Sequence, residues 1–114
     1  MECYNVACCL RSHETLRYSV FICRTKDDIK NRLRVDGKPL SISKIRITDD
    51  LSIFHNLNAD NKCGYGVTGR VKDRDGEWCF FTGDIVIIRE ENNIPIDITQ
   101  EEIDFVDSKL ICGD

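Results

Sequence analysis

The run Asp84-Ile85-Val86-Ile87-Ile88-Arg89 decides how this sequence folds. Four branched aliphatic residues stand side by side between charges, so neither face of a strand built from them is polar. Such a strand is covered on both sides and belongs at the centre of a sheet. The run is also far shorter than the roughly 20 apolar residues a membrane-spanning helix needs.

On the upstream side, Val67, Gly69 and Val71 alternate with Thr68, Arg70 and Lys72, and the segment from Trp78 to Thr82 returns after Asp73-Arg74-Asp75-Gly76. Asp-Gly between two alternating runs is a hairpin signal, because glycine supplies the positive φ of a tight turn. On the downstream side, Thr99 and Glu102 have capping-box spacing, and Ile98 and Ile103 have the spacing of a hydrophobic staple. Ile103, Val106 and Leu110 then recur at helical spacing with Gly113 beyond them, which predicts a helix near 100–111.

The N-terminal part continues the pattern. Tyr4, Val6, Cys8 and Leu10 alternate, as do Leu16, Tyr18, Val20 and Ile22, with a polar loop at 11–15 between them. Together they predict an antiparallel hairpin. Thr25 is placed as an N-cap, Asp27 and Asp28 suit the positive end of a helix dipole, and Ile29 and Leu33 share one side. A short helix near 25–34 follows, with Gly37 expected to end it. Leu40, Ile42, Ile45 and Ile47 break alternation once, and a bulge would reconcile their faces. The polar, Asn-rich stretch 49–62 reads as a long loop or short strand anchored by Ile53, Phe54 and Leu57. The expected fold is therefore α+β: one domain over 1–114, with a mostly antiparallel sheet of five to six strands in the order β-β-α-β-β-β-β-α, since no βαβ rhythm is present.

Composition sets the setting. The 114 residues are 41% hydrophobic and 32% charged, an ordinary globular balance. No basic segment followed by an apolar one stands at Met1-Glu2-Cys3, so the expected location is cytoplasmic. The seven cysteines are odd in number, include the adjacent pair Cys8-Cys9, and fall mostly in apolar runs, which reads as reduced thiols acting as small hydrophobes. Alanine occurs only at 7 and 59 while isoleucine is abundant, a bias that fits an AT-rich phage or mobile locus.

Several motifs invite chemistry and lack its context. Gly64-Tyr65-Gly66-Val67-Thr68-Gly69-Arg70-Val71 matches G-x-G-x-x-G-x-V, but a hairpin strand follows where a dinucleotide site needs a helix. Cys3, Cys8, Cys9, His13 and Cys23 are zinc-ligand types without paired C-x-x-C knuckles. Neither His13 nor His55 has a nucleophile and an orienting group at telling distance in the sequence. No metal, no cofactor and no catalytic residues are expected, and the chain reads as something other than an enzyme.

The charge balance is the one global bias. Residues 1–48 hold ten Lys and Arg against five Asp and Glu, whereas residues 49–114 hold six against fifteen, for a net −4. An acidic surface steers encounter with a basic partner. The leading expectation is a small acidic interaction protein, an inhibitor or immunity-type module that neutralises a protein partner such as a basic toxin nuclease or a host defence protein. Its partner-facing residues would be Glu91, Asp97, Glu101, Asp104 and Asp107. The alternative is a nucleic-acid-binding module on the basic segment 24–46, through Lys26, Lys30, Arg32 and Arg34. A sequence pI near 5.2 weighs against it, and a small enzyme comes last.

Overall fold

A computed structural model of the chain describes residues 5–59 and 68–112. Its elements are β1 (Val6–Arg11), β2 (Tyr18–Cys23), α1 (Lys26–Leu33), β3 (Ile42–Arg46), β4 (Leu51–Asn56), β5 (Gly69–Lys72), β6 (Trp78–Phe81), β7 (Ile85–Glu91), β8 (Ile94–Ile96), α2 (Gln100–Lys109) and β9 (Ile111–Cys112). The α+β class and the antiparallel pairing match the sequence expectation. The main sheet runs β2-β1-β7-β4-β3, with β8 also on β7, and a second sheet runs β6-β5-β9.

Strand β7 is the centre that its four aliphatic residues require. Ile85 and Ile87 join one core, with Ile45, Ile53, Val71, Phe81, Ile103 and Val106. Val86 and Ile88 join the other, with Val6, Cys8, Phe21, Ile29 and Leu33. The first core lies under α2 and the small sheet, and the second lies under α1. Full burial of each such aliphatic side chain contributes roughly 1.5–3 kcal/mol, so β7 alone anchors both layers. One edge of β7 is shared: β1 pairs along 85–87 and β8 along 89–91, while β4 takes the other edge.

Four local expectations change. The bulge in the third strand is absent, since β3 keeps unbroken register with β4 from Ile42↔Asn56 to Arg46↔Ser52. Ile42 packs on the α1 side while Ile45 and Ile47 pack on the other, so covering both faces reconciles the pattern. The Asn-rich stretch holds a full strand, β4, in the main sheet. Its polar residues are buried but satisfied: Asn56 Nδ2 donates to Leu33 O at 3.1 Å, and its Oδ1 accepts from the backbone N–H of Ser41 and Asn58. That bond also satisfies one of the carbonyls orphaned at the end of α1. Gly37, at φ +77°, serves a turn beyond the helix rather than its cap, which is an extended Arg34. The hairpin β5–β6 forms as expected but stands outside the main sheet, extended by the two-residue β9.

Both helices start as their sequences predict. Asp28 Oδ2 accepts from the backbone N–H of Arg24 at 2.7 Å, and Glu102 Oε1 accepts from that of Thr99 at 2.9 Å. Ile98 and Ile103 both enter the core beneath α2.

Candidate functional site

The acidic set is split by its surroundings. Asp97 Oδ1 accepts the backbone N–H of Ala7 at 2.8 Å, and Ile98 N–H donates to Ala7 O, so this segment is stitched to β1. Asp107 accepts the Tyr18 hydroxyl, tying α2 to β2. Burial, with that hydrogen bond adding to it, pushes the Tyr18 phenol well above its ordinary value. Glu91 pairs with Arg89 at 3.1 Å, and Arg89 also reaches Glu102. Glu101 and Asp104 stand on the exposed side of α2, Asp104 holding Gln100 Nε2 at 2.9 Å. All five carboxylates are exposed: two of them tie surface segments together, one is locally neutralised, and two make no tie to another element.

The basic set is also divided. Lys26 and Lys30 rim a pocket of about 370 Å³ between α1 and the main sheet. Arg32 leaves that side and lies over Phe21, 4.4 Å from the ring centroid. Arg34 caps the helix. The four do not form one continuous stripe.

The groups with catalytic potential are held apart. His13 Nδ1 lies 2.7 Å from Asp84 Oδ1, which also accepts the His13 backbone N–H, so this pair pins the first hairpin loop to the start of β7. His55 is buried in β4 with its Nδ1 accepting from the Thr82 backbone N–H. Cys8 and Cys23 sit in the α1-side core and Cys9 in the other. Burial pushes all three thiols up, Cys9 to about 11, far from the thiolate a nucleophile needs. Among the described residues no three His, Cys, Asp or Glu side chains gather as a metal site requires, and no helix is long and apolar enough to cross a membrane.

The glycine motif is partly visible. Gly64 and Gly66 lie outside the described residues. Gly69 opens β5, and a Cβ there would stand 2.5 Å from Phe81 Cζ and 2.9 Å from Ile111 O. Glycine is needed at this position because the small sheet closes over Phe81.

The sequence reading missed the outer face of that small sheet. Alternation in β5 and β6 turns Gly69, Val71 and Phe81 inward and sends Arg70, Lys72, Trp78 and Phe80 outward. Register sets Arg70 beside Phe80 and Lys72 beside Trp78, while β9 adds Ile111 next to Arg70. Trp78 is 45% exposed, Phe80 57% and Ile111 44%. Arg70 and Lys72 lie over the Trp78 ring at 4.8 and 5.2 Å from its centroid, so their stems cover apolar surface while their charges stay wet. The signal was present as period-two alternation, but only the separation of this hairpin from the main sheet leaves the face uncovered.

A second unusual group lies inside. Arg11, at the end of β1, is only 5% exposed, and its guanidinium lies 6.0 Å from the Tyr18 ring centroid. Its Nε and Nη1 have no hydrogen-bond partner among the described residues. The chain matches no protein family model, no curated protein and no solved structure.

Proposed function

We propose that this chain is a small acidic interaction protein of inhibitor or immunity type, working in the cytoplasm by binding and neutralising a protein partner. The observation that carries the reading is the outer face of the small sheet. Exposed Trp and Phe flanked by Arg are the residue types that dominate binding energy where proteins meet, and large apolar side chains grouped on a surface mark interaction sites. α2 covers the same face of the main sheet as this small sheet. Its outward Glu101 and Asp104 add the acidic potential that speeds encounter with a basic partner, such as a toxin nuclease or a host defence protein.

The test is a pull-down from nuclease-treated host lysate, with wild type beside a Trp78→Ala/Phe80→Ser variant. Wild type is expected to retain one protein in stoichiometric amount, and the variant to lose it while melting at the same temperature. Equal retention by the variant refutes this face as the interface. The stacking of Arg70 and Lys72 on Trp78 favours one second reading, a single-stranded nucleic-acid platform. Retention found only in a parallel pull-down from untreated lysate, and gone after nuclease treatment, would replace the first reading with that one.

A further inference from the structure

Helix α1 has eight residues, about 12 Å of length, and cannot cover one face of a six-stranded sheet. Beside it, over β3, β4 and β7, lies the pocket of about 370 Å³. Its walls are Ile29 from the helix and Ile42, Phe54 and Ile88 from the three strands. The volume is within the range of small-molecule sites, and an apolar lining with a few charges at one side is their usual make-up.

The charges are arranged with one sign in excess. Lys26 and Lys30, four apart and so on one side of α1, line the pocket together with Lys44 of β3. Lys44 is already engaged: its Nζ lies 2.5 Å from Glu90 Oε1 and 5.5 Å from the Phe54 ring centroid. Among the described residues, Lys26 and Lys30 take part in no ion pair. The pocket thus offers an apolar interior lined by the paired Lys44 and Glu90 and by two exposed lysines, Lys26 and Lys30, that have no acidic partner among the described residues.

We propose that this pocket binds a small amphipathic anion, with an alkyl or aryl body against Phe54 and Ile88 and a single carboxylate or sulfonate head between Lys26 and Lys30. The polar requirement is a negative head, because a neutral head would leave both ammonium groups as they are in the free protein. The proposal is independent of the partner-binding face, which lies on the opposite side of the main sheet.

The probes are anilinonaphthalene sulfonate, decanoate and decanol, followed by fluorescence and by backbone amide shifts. The sulfonate is expected to saturate at one equivalent, decanoate to displace it, and decanol to do so at least tenfold more weakly. Amide shifts should centre on Ile42, Phe54 and Ile88. Lys26→Glu/Lys30→Glu should weaken decanoate by at least tenfold, since both charge-assisted contacts are lost and like charges replace them, and leave decanol unchanged. Ile42→Trp should fill the space and abolish binding without lowering the melting temperature. Trp78→Ala/Phe80→Ser, which removes the exposed aromatic face of the small sheet, should bind as wild type does. Absence of saturable binding, shifts centred on the small sheet, or decanol binding as tightly as decanoate would each overturn the proposal. The wild-type shift map decides the matter even where the Ile42→Trp protein fails to fold.

Discussion

His55 should make the fold sensitive to mild acid, and the size of the effect follows from its surroundings. The side chain is 2% exposed. Its Nδ1 accepts the Thr82 backbone N–H at 3.3 Å, while the Thr82 hydroxyl proton goes to Asn56 O at 2.6 Å. A proton on Nδ1 would face an N–H donor, and burial independently holds the pKa below the ordinary 6.5. The unfolded chain therefore takes up a proton near 6.5 that the folded chain refuses. Between the folded and unfolded values the unfolded state binds more protons, so stability rises with pH and is lost as pH falls below 6.5. The unfolded histidine's proton uptake sets the ceiling on the loss, about 0.4 kcal/mol at pH 6.5 and about 1.4 kcal/mol at pH 5.5. Urea unfolding at pH 7.5, 6.5 and 5.5 measures it, with His55→Asn as the reference, because Asn Oδ1 can accept the same Thr82 N–H without titrating. Wild type should lose more stability than the Asn variant from pH 7.5 to 5.5, by up to about 1.4 kcal/mol. Parallel pH profiles for the two proteins would refute the reasoning.

Three other outcomes are expected. Gly69→Ala should cost about 1–3 kcal/mol, since the new Cβ meets the fully buried Phe81 ring at 2.5 Å and overpacking has that scale; an unchanged melting temperature would show that the small sheet can shift. Iodoacetamide at pH 8 should modify exposed Cys112 well before Cys8, Cys9 and Cys23, which burial keeps protonated; peptide mapping of a native time course reads the order, and equal rates would contradict it. Glu101→Lys/Asp104→Lys should leave the melting temperature almost unchanged, because exposed charges contribute little to stability. Stopped-flow association with the captured partner should slow at low salt, and a wild-type rate would place the interface away from α2.

The elements legible in the sequence are those whose cause is local. The capping residues of α2 sit within four positions of one another, and the aliphatic run of β7 states its own double burial. β4 was only half legible: Ile53 and Phe54 allowed a short strand, but His55 and Asn56 look like loop residues until their partners are known. Those partners are Leu33, Ser41 and Thr82, up to 27 positions away. The same difficulty governs the acidic surface. Asp97 and Asp107 count as surface charge by composition, yet Ala7 and Tyr18, about 90 positions away, hold them. The aromatic face of the small sheet was hidden differently. Its alternation is plain, but whether Trp78 and Phe80 point into a second layer or into water depends on which sheet the hairpin joins.

The late position of β7 shapes how the chain must acquire its fold during synthesis. The β1–β2 and β3–β4 hairpins are complete by Asn56, yet each needs β7 as its next neighbour, and β7 ends at Glu91. Translation at about 5–20 residues per second puts roughly two to seven seconds between those points. For that interval the strand that separates and joins the two hairpins has yet to be made. Non-local pairing of this kind is slow once it becomes possible, so the nascent chain passes through a window in which its open edges can recruit each other or a neighbouring polypeptide.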